Sequence, residues 1–429
     1  LVDGEEIDGH DPAEWVAATR AALEAMPNVT LLNRTMGAGV FDHGYLLGYE
    51  RLTDHVSAGE GPRHRLWRIR AQRIVTATGA IERPLSFAGN DVPGVMLASA
   101  VRDYVDLWGV SPGDRTVVVT NNDDAYRSAI TLKRAGLDVP LILDARPAAI
   151  GPLPREAREL GIRVEVGKGV GKVLGHTAVT GVEVCAQAGE GASLETVMCD
   201  CVAMSGGWSP VVHLWSHCGG KLLWDADQAL FHPDPDRPPT GADGAGFVIA
   251  AGSANGCLRA TAAAEDAVAA GRRAAEEAGG VPLPDEAAPP VAETPEEPME
   301  PVWLMPQGAS RKLRSKAFLD YQNDVKVADV QLAAQEGFES VEHTKRYTTL
   351  GMATDQGKLS NINGLATLSH ALNADIPQVG TTTFRPPYTP ISMGAIAGEA
   401  RGPLFKPTRK TPMDEWHDAN GAQWEPVAD

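Results

Sequence analysis

The sequence predicts an α/β fold, in which β-branched strands alternate with apolar-periodic helices. Three stretches carry that prediction. Residues 117–145, VVVTNNDDAYRSAITLKRAGLDVPLILDA, read as strand, turn, helix and second strand, with the helix ending at Gly136. Residues 246–279, GFVIAAGSANGCLRATAAAEDAVAAGRRAAEEAG, read as a strand, a glycine turn and a long Ala-rich helix. Between them lie IRVEVGKGVGKVLG, TAVTGVEVCAQ and ETVMCDCVAMSGG, whose alternation marks further strands.

The other elements follow in order. PAEWVAATRAALEAM has helical periodicity, an Asp–Pro start at Asp11 and a stop at Pro27–Asn28. VTLLNRT, GVFDHGYLLGYERL and HRLWRIRAQRIVTATGA predict a strand, a hairpin, and a last strand ending at Thr78–Gly79. Residues 281–302 are rich in Pro and Glu without apolar periodicity, so they predict a linker. KVADVQLAAQEGFESVEHTKRYT predicts two short helices around Gly337, and SNINGLATLSHALN a third. The proline-dense tail from Gly380 must be extended and must dock on something. No internal repeat is present.

A chain of 429 residues suggests two to four domains at roughly 100–200 residues each. Hydrophobic residues make up 43% and charged residues 22%, an ordinary globular composition. With 38 basic against 56 acidic residues the net charge is −18, which argues against nucleic-acid partners and anionic membranes. Cys185, Cys199, Cys201, Cys218 and Cys257 are odd in number and lack framework spacing, so a reducing, cytoplasmic compartment fits. No apolar run reaches a membrane span, and the first residues given show neither a basic n-region nor an apolar h-region. LVDGEEIDGHDPAEW looks like protein interior and EWHDANGAQWEPVAD stops abruptly, so the chain is expected to be a fragment.

The turn of the 117–145 unit, TNNDDAY, is the anomaly. A dinucleotide turn needs glycines so that backbone can approach a pyrophosphate and open a helix whose N–H groups hold it. None lies between Thr120 and Gly136, and Asp123 and Asp124 place negative charge where a phosphate would sit. By contrast, VTATGAIERPLSFAGND ends a strand on small residues, and Gly252, Ser253, Asn255 and Gly256 precede a helix with N–H groups free to face an anion. Gly79 has no Cβ to collide with an adenine or ribose.

In this order, with a βαβ unit between them, these stretches resemble the flavoproteins with two dinucleotide-binding domains related to thioredoxin and disulfide reductases. The match covers residues 1 to about 275. That family's first G-x-G-x-x-G strand, ribose-binding acid and redox C-x-x-C are absent. The resemblance implies one dinucleotide in the first domain and a second domain kept as packing scaffold.

Residues 317–361 and VGTTTFRPPYTPISMGAIAG resemble the α subunits of heterotetrameric sarcosine oxidases. In related amine dehydrogenases this region resembles a ferredoxin-type domain whose four cysteines hold a 2Fe–2S cluster. Here Asp320, Gln322, Asp355 and Ser360 stand near those places and no cysteine follows Cys257, so a cluster is excluded. TPMDEWHDANGAQWEP resembles the lead into a folate domain similar to aminomethyltransferase, which is missing. The expected division is 1–110 for an incomplete first dinucleotide (NAD) domain and 111–205 for the degenerate second. Residues 206–280 return to the first, 281–314 form the linker, 315–378 the cluster-less helical domain, and 379–429 the arm.

The resemblance implies a complex that oxidises sarcosine at a flavin, with dioxygen giving hydrogen peroxide, and formaldehyde or 5,10-methylenetetrahydrofolate as the one-carbon product. FAD would lie on the β subunit, FMN between β and this chain, and tetrahydrofolate on the missing domain. The β, γ and δ subunits would be partners, and the small-molecule amine would meet the complex. NAD would be held by this chain through Met36, Gly37, Ala77, Thr78, Gly79, Gly252, Ser253, Leu258 and Ala260, with Thr382, Arg385 and Tyr388 offered to the FMN interface. No catalytic residue and no metal are expected on it.

Competing readings stand beside each. Arg385 and Tyr388 suit a flavin phosphate or a partner, with Lys345, Arg346 and GMATDQGK adding donors, or else a plain surface arm. His213 and His217 stand four apart as metal ligands can, but no Glu completes a motif and the segment is aromatic-rich like core. Cys199 and Cys201 are expected on one face of a strand as buried thiols, and Glu82-Arg83-Pro84 as a salt-bridged strand exit. Rival identities are an α subunit of an opine- or proline-type dehydrogenase, an NADH-dependent disulfide reductase, and a cofactor-free binding module.

Overall fold

The structure, a computed structural model, describes residues 4–57, 61–241, 244–281, 287–400, 402–404 and 409–424; parts of the predicted linker and of both chain ends lie outside these. After β1 (Glu6–Ile7) comes α1 (Pro12–Glu24). The Asp11 carboxylate caps α1, accepting from Ala13 N–H at 2.9 Å, with Pro12 pre-set in the first turn. β2 (Thr35–Phe41), β3 (Tyr45–Arg51) and β4 (His64–Arg70) form an antiparallel meander. The strand predicted over VTLLNRT is absent: residues 29–34 are loop and turn, with Arg34 at φ +58°. β5 (Ile74–Thr76) also ends earlier than predicted. The cause is local, since the Thr78 hydroxyl donates to the Val211 carbonyl at 2.7 Å and Gly79 turns the chain at φ +74°.

β6 (Ala80–Glu82), β7 (Val95–Leu97) and α2 (Ala98–Trp108) lead into the second unit. There β8 (Arg115–Thr120), α3 (Asp124–Arg134) and β9 (Asp138–Asp144) form the predicted βαβ unit. α4 (Pro152–Glu159), β10 (Arg163–Val166), β11 (Lys168–Gly175), β12 (Val179–Ala186), β13 (Glu195–Met198) and β14 (Cys201–Ser205) complete it. The sheet is parallel throughout, in the order β10-β9-β8-β14-β7. Both faces are covered, as a parallel sheet requires. Val117, Val119, Leu141 and Leu143 pack on the β11–β13 sheet, while Val118 and Ile142 pack on α2, α3 and α4. Cys199 and Cys201 are both buried, but on opposite faces rather than one, because the chain leaves β13 and re-enters the sheet as β14 between them.

The chain then returns to the first unit through β15 (Trp208–Pro210), α5 (His213–Ser216), the β16 (Leu222–Asp225) and β17 (Leu230–Pro233) hairpin, β18 (Val248–Ala250) and α6 (Ala260–Glu277). β18 runs parallel to β5, pairing Ala250 with Thr76, so the two strands end side by side. The expected Glu82–Arg83 salt bridge is not formed. Glu82 accepts from Ser99 N–H and hydroxyl, and Arg83 donates to the Ala229 carbonyl at 2.6 Å and lies over the Trp303 ring.

The predicted linker is instead a strap. β19 (Val291–Ala292) pairs with β1, and the following residues lie across both dinucleotide-type units. Met305 N–H donates to the Ser86 carbonyl, and its side chain is buried where a Cβ on Gly169 would come within 2.5 Å. α7 (Arg311–Arg314), the β20 (Phe318–Asp320) and β21 (Val325–Lys326) hairpin, α8 (Val327–Gln335), α9 (Val341–Thr348), α10 (Asn361–Leu372) and α11 (Ile376–Val379) make the third unit around Leu319, Val330, Leu350 and Leu368. The arm beyond is extended apart from α12 (Met393–Ala397), a 3₁₀ turn (Gly402–Leu404) and α13 (Asp414–Ala419).

Under the strap, Arg146 donates to Asp123 at 2.6 Å and to Asp144 at 2.7 Å, and all three side chains are within 5% of full burial. Replacing Arg146 with Met leaves two buried carboxylates without their cation. We expect a loss of about 3–5 kcal/mol in urea denaturation; a loss below about 1 kcal/mol would mean that the triad is solvated.

Candidate functional site

The parallel pairing of β5 with β18 gathers most of the residues proposed for a dinucleotide. Ala77, Thr78 and Gly79 leave one strand where Gly252 and Ser253 leave the other. Ala77 and Thr78 are exposed, and a Cβ built on Gly79 would meet no atom within 4 Å, so open space lies over this turn. Met36 and Gly37 approach through α5: Gly37 lies against Leu214, and Val211 N–H donates to the Gly79 carbonyl. Leu258 is half-buried at the start of α6.

The amides expected to be free are not. Glu293 of the strap accepts from Ala260 N–H at 2.9 Å, from Thr261 N–H at 3.3 Å and from the Thr261 hydroxyl at 2.8 Å. Burial acts to raise its carboxyl, but these donors more than offset that and hold it below the usual range. Gly252 N–H donates to Asp266 at 2.7 Å. The α6 N-terminus therefore already carries a carboxylate where a phosphate could have gone, and Ala260 has no spare N–H to offer.

The strap closes the second unit too. Open α/β sheets bind nucleotides in the crevice beyond their strand C-termini, and here Thr120 and Asp144 mark that edge. Glu297 N–H donates to Asp123 at 2.8 Å, Ile150 N–H donates to Glu297 at 3.0 Å, and Asn121 bonds Glu300 through its main chain and its side chain. Arg127 binds Glu5 at 2.7 Å and Glu296 beside it. No residue of 120–124 has positive φ, so the glycine-free turn is unstrained. Asp123 pairs with Arg146 and Asp124 with Arg102, and the strap fills the crevice. Glu293 and Glu297 were hidden in a segment whose composition predicts a linker.

In the third unit, Asp320, Gln322 and Asp355 come together as the ferredoxin-like resemblance implies, but as a hydrogen-bond network. Asp320 accepts from Gln322 N–H at 2.9 Å and Gly351 N–H at 2.7 Å, while the Gln322 side-chain Oε1 accepts from the Thr354 hydroxyl and Asp355 N–H. Ser360 is buried, with its hydroxyl unpartnered among the described residues. Beside this network Lys345, Arg346 and Arg385 line one cleft of about 280 Å³ with Gly351, Ala353 and Gln356. Among the described residues its one acid is Glu342, which accepts from Thr383 N–H and lies 3.5 Å from Arg346. Three cations against one carboxylate leave the cleft net positive. Arg385 is exposed there. Thr382 does not face it: buried, it accepts from Asn361 at 2.8 Å. Tyr388 anchors the arm instead, donating its N–H to Ala38 and lying under Lys358 and beside His213.

His213 and His217 are not joined by further ligands; among the described residues no group of three or more His, Cys, Asp or Glu could hold a metal. Burial, with Lys358 nearby, pushes His213 down to about 3 and His217 to about 4. Burial pushes Glu82 the other way, up to about 7, against the Ser99 hydrogen bonds. The two groups give opposite pH dependence. The histidines contribute stability that is present above about 6.5 and lost as pH falls through 4 and 3. Glu82 contributes stability that is present below about 4.5 and lost as pH rises through 7. Glu82→Gln should therefore stabilise the protein above pH 7 by roughly 3 kcal/mol and leave it unchanged near pH 4.5. Equal denaturation midpoints for variant and parent at pH 8 would contradict this.

Residues 314–399 match the sarcosine oxidase A3 domain family. The chain is 41% identical to the sarcosine oxidase subunit alpha of Rhizobium meliloti (strain 1021), over 98% of its own length and 41% of the relative's. It is 38% identical to that of Corynebacterium sp. (strain P-1), over 99% and 44% respectively. It thus spans less than half the length of these curated relatives. Among solved structures, L-proline dehydrogenase from P. horikoshii aligns over 89% of this chain and 68% of its own, with a TM-score of 0.63 and 20% identity, which shows a shared fold. That fold is the expected α/β one, with a Rossmann-like parallel sheet in the order β10-β9-β8-β14-β7. Along nearly all of its own length the chain is similar to less than half the length of these sarcosine oxidase α subunits.

Proposed function

We propose that this chain is the NAD-binding and flavin-facing scaffold of a sarcosine oxidase-like complex. The observation that carries the reading is the cationic cleft of Lys345, Arg346 and Arg385 in the domain shared with that family. Two guanidinium groups and an ammonium suit a phosphate monoester, which Arg binds through a planar fork. FMN at the boundary with a β subunit is the ligand this favours.

NAD would take the open ends of β5 and β18, against Thr78, Gly79, Gly252 and Ser253. With Glu293 and Asp266 on the local amides, the chain would hold that nucleotide through small side chains and carbonyls. The strap bonded across the second crevice counts against an NADH-driven reductase. Among the described residues nothing replaces iron ligands, since no cysteine lies beyond Cys257.

When bound, the flavins supply the redox chemistry by which the complex would oxidise sarcosine at the expense of dioxygen. Lys345, Arg346 and Arg385 of this chain would neutralise the phosphate. The amine site, FAD and tetrahydrofolate would belong to other parts of the assembly, with β, γ and δ subunits as partners. The free cysteines support a cytoplasmic setting. Among the described residues no helix is long and apolar enough to cross a membrane.

Losing Arg385 and Lys345 together removes two charge-assisted contacts. The purified complex of the double alanine variant should retain FMN at least tenfold less tightly, while NAD released by denaturation and weighed by mass spectrometry stays stoichiometric. Full FMN content in the variant would sink the cleft assignment, and parent protein releasing no NAD would sink the nucleotide assignment.

A further inference from the structure

The three cations of the cleft enter it from two segments. Lys345 and Arg346 stand on α9, while Arg385 comes from the arm. Arg346 has Glu342 as a neighbour on its own helix. Arg385 has no such guide: it is exposed, and among the described residues no hydrogen bond or ion pair holds its guanidinium. A long side chain keeps much rotamer freedom unless something orders it, so the aim of Arg385 depends on where its main chain is fixed.

Two bonds flank it. On one side Thr383 N–H donates to Glu342 at 2.6 Å, and on the other the Pro387 carbonyl accepts from the Gln356 side-chain amide at 2.9 Å. Pro386 and Pro387 have no N–H to add. The Gln356 bond is therefore the tether that follows Arg385 most closely along the chain.

Gln356 belongs to the loop of residues 351–357, which supplies another wall of the cleft through Gly351, Met352 and Ala353. The loop is neither helix nor strand, and Gly351, Gln356 and Gly357 all have positive φ. At φ +54°, Gln356 has a conformation that residues with a Cβ seldom adopt, so the loop must be imposed by its surroundings. The β20–β21 hairpin does this. Asp320, 2% exposed, accepts from Gly351 N–H at 2.7 Å, and Gln322 Oε1 accepts from the Thr354 hydroxyl at 3.1 Å and from Asp355 N–H at 3.2 Å. Asn323 adds a bond to the Thr349 carbonyl at 2.9 Å. Asn361 closes the loop from within, since a Cβ on Gly351 or Gly357 would come within 2.2 Å of its Oδ1. A continuous path of contacts runs from the hairpin through the loop and Gln356 to the arm beside Arg385.

We infer that Gln356, braced by Gln322, is a positioning residue for the anion site: it acts on the bound phosphate through Arg385 and not by touching it. This rests on the cleft being the FMN phosphate site.

Gln356→Met and Gln322→Met keep side-chain length while removing the donor and the acceptor. The FMN dissociation constant of the assembled complex, measured by equilibrium dialysis with flavin fluorescence, should rise about threefold in Gln356→Met and in the same direction in Gln322→Met, the scale of one lost neutral hydrogen bond. In an Arg385→Ala complex Gln356→Met should add less than about 1.5-fold, whereas in a Lys345→Ala complex its rise of about threefold should persist. The salt dependence of FMN binding should also fall in Gln356→Met as it falls in Arg385→Ala, because a cation has left the anion. A general loosening of the third unit would leave that dependence in place. Should Gln356→Met fail to assemble, Gln322→Met, at an exposed residue, carries the same comparisons. Three results would overturn the inference: FMN binding unchanged by the methionine variants while Arg385→Ala weakens it, an equal loss with and without Arg385, or an unaltered salt dependence. If the Arg385→Ala and Lys345→Ala complexes both bind FMN as the parent does, the cleft reading itself fails and the positioning role falls with it.

Discussion

Buried charge cannot be left alone, and the architecture of this chain is organised by that constraint. Asp123, Asp144 and Arg146 sit together out of water at the C-terminal edge of the parallel sheet. One cation between two carboxylates leaves lone pairs and a net charge that must find donors. The strap supplies them through Glu297 N–H, and the Pro298 carbonyl takes another Arg146 hydrogen. The 117–145 unit thus keeps its βαβ form because the crevice where a nucleotide would lie is filled by the chain itself.

The same device recurs at the first unit. A helix N-terminus carries partial positive charge and unsatisfied N–H groups, and at α6 these are met by Glu293. One acidic segment therefore touches both dinucleotide-type units within a few residues and fixes their relation. In the third unit Asp320 and Gln322 tie two loops by hydrogen bonds in the region where the resemblance expects cluster ligands. In each place hydrogen-bonded carboxylates hold the shape of a cofactor domain.

The arm follows a related rule. Prolines cannot continue regular structure, so a proline-dense segment must be held by side chains and isolated main-chain bonds. Tyr388 N–H on Ala38, Gln356 on the Pro387 carbonyl and Lys358 on the Tyr388 carbonyl provide them. Held this way, the arm divides the space between the first and third units, with the cationic cleft on one side of Phe384 and a small, mostly apolar cavity on the other.

The sequence by itself determined most of the element types, because hydrophobic pattern is local: apolar, β-branched runs over 115–120 and 138–144, and a 3.6-residue repeat in α3 and α6, can be seen within one segment. It also shows that no cysteine follows Cys257, so the third unit has no thiolate of its own to offer an iron–sulfur cluster. Only the tertiary structure decided what the segment rich in Pro and Glu does. A glutamate reads as solvated until its partner is known, and the partners Ala260, Asp123, Arg127 and Ile150 lie from about thirty to nearly two hundred residues away. The separation of Cys199 from Cys201 onto opposite faces, and the meeting of Lys345, Arg346 and Arg385 in one cleft, were settled in the same way, by contacts between segments distant in the chain.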